Sequence, residues 1–123
     1  MAVEFCSRLL DDLPDALIVS DLKGNIQLWN RRAEILFKIS KVDALGQNLD
    51  IVIPEYLRNA HWAGFHRAIS EDNTRFHGAS VRTKALLGDG TFALLDMAFS
   101  LTHDEYGHLV GVSAIARPSM SAI

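Results

Sequence analysis

The sequence predicts a small α+β domain whose strands form a single antiparallel sheet. The strand-like segments fall into an early pair and a late group of three, and most helical segments lie between these groups. Short turns rich in glycine and aspartate join neighbouring strands, as in antiparallel hairpins. The length of 123 residues suits one domain whose core can hold one small ligand.

Each element is predicted from its periodicity and its flanking residues. The chain opens with an amphipathic helix over residues 2 to about 13, which a proline ends. Asn30 is a suitable N-cap for the next helix, and Pro54 is well tolerated in the first turn of the longest helix. The other predicted elements are strands at 16–20 and 26–29, helices at 31–37 and 55–69, and strands at 76–86, 92–102 and 109–116.

Composition restricts the function classes. The formal net charge of −3 and the scattered basic residues argue against nucleic-acid binding. Cys6 is the only cysteine, which excludes an internal disulfide and fits a reducing compartment. The first residues lack the pattern of a signal peptide, and the apolar runs are too short to cross a membrane. We therefore expect a cytoplasmic protein without direct membrane contact.

The chain resembles the PAS family over nearly its whole length. None of the matching motifs is specific alone, but they occur in the order that the family has. The motifs are residues 13–21, Gly24-Asn25-Ile26, Trp29-Asn30, residues 33–37, Gly88-Asp89-Gly90-Thr91-Phe92 and Gly107-His108-Leu109-Val110-Gly111.

The resemblance implies a five-stranded antiparallel sheet with helices packed over one face and a cavity between the two layers. On this basis we assign a flanking helix to residues 1–13, the PAS domain to 14–118 and a tail to 119–123. PAS domains often end with an acidic residue and a threonine that anchor an output domain. Arg117 and Pro118 stand in that place here. The domain is therefore expected to stand alone or to act through its N-terminal helix.

The longest helix carries a histidine on its apolar side. His66 falls on the opposite side, and Trp62 lies at the margin. The small residues around His61 leave room for a flat ligand. A histidine in such a place either is satisfied by a backbone carbonyl or a polar neighbour, or binds haem iron as a neutral imidazole. At about 100° per residue, the apolar stripe contains Leu57, His61, Gly64, Phe65 and Ala68.

The segment around this histidine is similar to the ligand helix of haem-binding PAS oxygen sensors. In those proteins the histidine follows the proline at the spacing of Pro54 and His61, although many PAS domains without haem share this segment. The same sensors place basic residues for the haem propionates where Arg67 and Arg75 stand, and guanidinium groups pair well with carboxylates. The resemblance thus implies His61 as the iron ligand, with Leu57, Gly64, Phe65, Arg67, Ala68, Arg75 and Val81 as cofactor-binding residues, and Leu95 and Val112 as further candidates for the cavity wall.

The strand opposite the helix departs from those sensors. They usually carry an arginine or a methionine above the distal side of the iron, and the matching positions here are Ala79 and Val81. Strand alternation places Arg82 on the other face. The distal side is therefore expected to be apolar and to favour CO or NO, or weakly held oxygen that lacks a hydrogen-bond donor.

Three other chemistries lack support in the sequence. Light-oxygen-voltage photochemistry needs a cysteine beside the flavin, whereas Cys6 precedes the first strand. Zinc needs three or four converging ligands, and His61 and His66 point about 140° apart on the helix. No nucleophile elbow, phosphate loop or metalloprotease motif occurs, so no catalytic residue is assigned and the domain is not expected to be an enzyme.

Together these features predict a PAS sensory domain that binds a small ligand or cofactor, with haem as the most specific candidate. Signalling is expected through dimer or partner contacts, with a homodimer formed by the N-terminal helix or the sheet. The alternative is a PAS module, empty or with an apolar ligand, that serves only protein association.

Overall fold

A five-stranded antiparallel sheet covered by helices forms the protein in the computed structural model, which describes residues 2–73 and 78–119. The predicted fold class is confirmed. In chain order the elements are helix α1 (Val3–Asp12), strands β1 (Ala16–Ser20) and β2 (Ile26–Trp29), helices α2 (Arg31–Phe37) and α3 (Lys41–Ala44), two 3₁₀ turns (Leu49–Val52 and Glu55–Leu57), helix α4 (Arg58–Glu71), and strands β3 (Val81–Leu86), β4 (Phe92–His103) and β5 (Leu109–Pro118).

The strand order is β2-β1-β5-β4-β3, so the first and last strands of the chain are neighbours within the sheet. Strands β1 and β5 pair antiparallel, with Ala16 opposite Ala116. Just beyond this pair, Arg117 Nε donates to Asp15 Oδ1 at 2.7 Å. The start of β1 and the end of β5 therefore lie side by side at the same end of two interior strands.

Two predicted boundaries differ from the structure by more than two residues. Strand β3 begins at Val81 and not at residue 76, because Gly78 has a φ of +83°, which extended strand backbone does not adopt. Residues 76 and 77 lie outside the described residues. The longest helix begins with the 3₁₀ turn at Glu55–Leu57 and becomes α-helical at Arg58. Strands β1 and β2 and helix α2 have the predicted bounds.

The main hydrophobic core lies where α2 packs on β1 and β2. Trp29 and Phe37 are 1% and 0% exposed, and their ring centroids are 5.3 Å apart. The Trp29 indole Nε1 donates to the backbone oxygen of Ile39 at 3.0 Å, so its polar edge is satisfied. Leu95, on β4, is 1% exposed and belongs to this core.

Asn30 is the N-cap of α2, as predicted, and also joins this helix to α1 and to the start of β1. Its Oδ1 accepts from the backbone nitrogens of Ala33 at 3.0 Å and Leu17 at 2.8 Å. Its Nδ2 donates to the backbone oxygens of Leu10 at 2.7 Å and Asp15 at 3.1 Å. One buried amide thus holds the end of α1, the start of β1 and the start of α2 together.

Candidate ligand cavity

A cavity of about 630 Å³ lies between helix α4 and the sheet. This volume is in the range of small-molecule sites. The wall includes seven of the eight residues predicted to bind a cofactor. The eighth, Arg75, lies outside the described residues. Val112 also contributes, whereas Leu95 is packed in the core and does not. The seven are Leu57, His61, Gly64, Phe65, Arg67, Ala68 and Val81.

The polarity of the cavity wall changes from the interior to the mouth. Apolar side chains from the sheet, such as Val81, Met97 and Phe99, face α4. Arg67 and Lys84 also line the cavity but are exposed, so charge is available only near solvent. Such a site suits a mainly apolar ligand that carries a charged group at one end.

The imidazole of His61 is the least satisfied polar group of the wall. Its Nδ1 is buried and has no hydrogen-bond partner among the described residues. Burial lowers the pKa of His61 below its ordinary value of 6.5, and the charge of Asp50 opposes this shift only in part. His61 is therefore neutral at pH 7. The carbonyl contact expected of an ordinary core histidine is not found for this atom within residues 2–73 and 78–119.

Aromatic neighbours fix the orientation of the His61 ring. The ring centroids of His61 and Trp62 are 4.6 Å apart with planes at 81°, and Phe65 lies 5.9 Å away. The exposed His66 contacts Trp62, with centroids 6.1 Å apart, and does not line the cavity. The helical stripe read from the sequence therefore separated the two histidines correctly.

The prediction for β3 is correct for Val81 and Arg82 but wrong for Ala79, which precedes the strand, is exposed and does not line the cavity. Val81 lines the cavity, whereas the Arg82 side chain is 55% exposed and its Nε lies 3.8 Å from Asp96 Oδ1. Two other residues near the site were missed by the sequence analysis. Met97 lies opposite Val81 in the β3–β4 pairing and lines the cavity, and Asp50 accepts a hydrogen bond from Trp62 Nε1 at 2.8 Å. Neither position could be predicted from the sequence alone, because each depends on a contact between residues that are distant in the chain.

Two findings bear on other assignments. Among residues 2–73 and 78–119, no three His, Cys, Asp or Glu side chains are close enough to form a metal cluster. In the same part of the chain, no helix combines the length and apolarity needed to cross a bilayer.

The fold and the cavity define a class of protein: small α+β domains that enclose a ligand-sized space between an antiparallel sheet and its helices. A family model described as the PAS fold matches residues 4–118. The chain belongs to the PAS family, and the resemblance read from its motifs is confirmed.

Individual relatives agree with this assignment. The chain is 47% identical over 53 residues to the sensor protein FixL of Bradyrhizobium diazoefficiens, a match that covers 43% of this chain and 10% of FixL. The chain thus spans about a tenth of the length of that relative. PAS domains are sensory modules, and this chain shares that class.

Solved structures show the same fold at low sequence identity. A PAS domain from Colwellia psychrerythraea is 22% identical, with a TM-score of 0.81 and 98% of each chain covered. A light-oxygen-voltage domain from a study of a flavin analogue is 12% identical, with a TM-score of 0.73, and the match covers 93% of this chain and 84% of that one.

Proposed function

We propose that this PAS domain is a haem-based sensor in which His61 ligates the iron. The observation that carries the proposal is a neutral imidazole on the wall of a 630 Å³ cavity, whose buried Nδ1 has no hydrogen-bond partner within residues 2–73 and 78–119. Buried polar atoms in folded proteins nearly always have partners, so an orphan beside a cavity favours a site that a bound ligand or ion completes. The local match to the sensor protein FixL supports the same reading.

The remaining wall residues fit a haem group. Arg67 lines the cavity and is exposed, where a guanidinium can pair with a propionate, and Arg75 is expected to do the same. Leu57, Gly64, Phe65, Ala68 and Val81 give an apolar enclosure with little bulk at the helix. Bound haem would supply an iron centre for diatomic gases. CO or NO is the expected signal, because Val81 stands at the distal position and brings no hydrogen-bond donor. The hydroxyl groups of Ser20, Thr83 and Ser113 also line the cavity from the sheet.

Absorption spectroscopy with hemin tests the proposal. Purified protein is titrated with hemin as wild type, His61→Ala and His66→Ala, and the Soret band is followed with and without CO. We expect wild type and His66→Ala to bind hemin with a sharp band that CO shifts after reduction. His61→Ala should lose this band or weaken hemin binding at least about tenfold, comparable to the loss of a metal-site contact. Equal binding by His61→Ala would refute the assignment.

We further propose that the domain is non-catalytic, cytoplasmic and signals as a homodimer. Helix α1 contacts its own domain mainly at its C-terminal end, and Val3, Phe5 and Leu9 are 78%, 53% and 50% exposed. On the sheet, Val110 and Ile115 are 45% and 44% exposed. Two partly uncovered apolar surfaces on one chain are suited to cover each other in a second copy.

The mass in solution tests the dimer. Light scattering after size-exclusion chromatography should give a dimer for wild type and a monomer for Phe5→Glu, because a charge cannot be buried without a partner. Val42→Glu is the matched control, since Val42 is 86% exposed on α3. A monomeric wild type would contradict the dimer, and a colourless dimer would favour the alternative of a module used only for protein association.

A further inference from the structure

Trp62 lies between the cavity and the turn that joins β1 to β2. It follows His61 on α4, and the two rings touch edge to face with centroids 4.6 Å apart. Trp62 does not line the cavity, whereas His61 does. Any group that ligates or displaces the His61 ring therefore acts on Trp62 as its direct neighbour.

The indole of Trp62 is held at two points on its far side. Its Nε1 donates to Asp50 Oδ1 at 2.8 Å. Its six-membered ring lies against Gly24, where an added Cβ would overlap Cη2 and lie only 2.6 Å from Cζ3. Even one methyl group does not fit between the ring and this backbone. The indole cannot shift toward Gly24 without moving the turn.

The turn itself is internally braced. Asp21 Oδ1 accepts from the backbone nitrogens of Lys23 and Asn25, both at 2.9 Å, and Gly24 N donates to the Asp21 backbone oxygen at 3.1 Å. Gly24 O accepts from Leu49 N at 2.9 Å. Residues 21–25 are thus bonded to one another and to the 3₁₀ turn that carries Asp50. A displacement of Gly24 is therefore expected to move residues 21–25 together with the 3₁₀ turn that carries Asp50.

We propose that Trp62 couples the His61 ring to the β1–β2 turn, so that a change at the cavity is transmitted to residues 21–25. The route runs from His61 through the indole to Gly24 and, by the Nε1 hydrogen bond, to Asp50. Trp62 is a positioning residue in this scheme and need not touch the ligand. The coupling does not depend on the identity of the cavity ligand, and it can be measured in the ligand-free protein.

A double-mutant cycle read by ¹⁵N NMR tests the coupling. The measured quantity is the change in the Gly24 amide chemical shift on His61→Ala, in the wild-type background and in Trp62→Phe. Phenylalanine keeps an apolar ring but lacks the N–H group and the second ring that reaches Gly24. We expect the His61→Ala change at Gly24 to fall about two-fold or more in the Trp62→Phe background, as for coupled residues. An equal change in both backgrounds would overturn the proposal.

Controls separate coupling from loss of structure. His108→Ala, on the exposed turn between β4 and β5, should leave the Gly24 amide unmoved. If Trp62→Phe fails to fold, Asp50→Asn and Asp50→Ala replace it. Asparagine retains an oxygen that accepts from Trp62 Nε1 and should preserve the effect of His61→Ala at Gly24, whereas alanine should weaken it. If both Asp50 variants behave alike, the hydrogen-bonded route is wrong.

Discussion

The two regions on the helix side of the sheet differ in how they are packed. Where α2 covers β1 and β2, Trp29 is 1% exposed, packs against the Phe37 ring and does not line the cavity. Where α4 covers β3 to β5, small residues such as Ala60 and Gly64 border the 630 Å³ cavity, and Phe65 is 7% exposed. The first region supplies stability, and the second leaves space at a modest cost in stability.

The connections of the two helices differ in the same way. The start of α2 is joined to α1 and to the start of β1 by three hydrogen bonds of Asn30, and a fourth caps α2 itself. Helix α4 is joined to the preceding 3₁₀ turn by the Trp62–Asp50 hydrogen bond and by Arg58, which donates to the backbone oxygens of Ile53 and Asp50 at 3.1 and 3.3 Å. These connections allow the conformation around α4 to change while the packing of α2 on the sheet stays the same.

The largest expected effect comes from truncating one aromatic residue in each region. Replacing Trp29, which is 1% exposed and does not line the cavity, by Ala should lower the free energy of unfolding by about 3–5 kcal/mol, since it leaves a hole in close-packed surroundings. Phe65→Ala should cost less than about 3 kcal/mol, because the Phe65 side chain borders a space that already exists. Urea denaturation of both variants measures the difference. Equal losses in the free energy of unfolding would show that the two regions are packed equally tightly.

Removal of the Asn30 amide should have the next largest effect. Asn30→Ala is expected to lower the free energy of unfolding by about 2 kcal/mol, because it leaves buried backbone groups of Leu17 and Ala33 without a partner. The effect should spread to α1, whose Leu10 carbonyl loses its donor, and amide hydrogen exchange there should accelerate. Asn48→Ala, at the cap of the first 3₁₀ turn, is a matched control that should leave exchange in α1 unchanged.

A substitution at the mouth of the cavity should stabilise the protein. An added Cβ at Gly64 meets no atom within 4 Å, so Gly64→Ala is expected to add about 0.5–1 kcal/mol through helix propensity. Ala68→Gly on the same face of α4 should cost a similar amount. Thermal unfolding measures both effects. If Gly64→Ala destabilises the protein, the α4 region is not the more loosely packed of the two regions.

Protonation of His61 should make the stability of the α4 region depend on pH. Burial lowers the pKa of His61 in the folded protein below 6.5, its ordinary value. Between these two pKa values the unfolded chain binds more protons, so stability is fully present above pH 6.5 and falls as the pH decreases through this window. Denaturation midpoints measured from pH 5 to 8 should show a smaller slope in His61→Leu. The same substitution at exposed His66 is the control, and an unchanged slope in His61→Leu would contradict the assignment.

The sequence predicted the tightly packed region better than the open one. The bounds of β1, β2 and α2 follow from local signals, namely a turn at Gly24 and a cap at Asn30. The helical stripe also identified the cavity side of α4. The roles of Trp62 and Met97 depend on which distant residues they meet, which one-dimensional periodicity does not contain. Strand β3 begins later than predicted because Gly78 has a positive φ. A glycine adopts positive and negative φ about equally well, so the sequence alone does not show which of the two occurs.

The contact between Asp15 and Arg117 bears on how such a domain combines with other proteins. Residues 15 and 117 are separated by 102 positions in the chain, yet their side chains meet at 2.7 Å beside the pairing of Ala16 with Ala116. Entry and exit points that lie this close allow a domain to be spliced into a surface loop of a host protein without stretching either junction. The fold can thus be inserted into a fusion protein with both junctions side by side, where interior strands β1 and β5 begin and end.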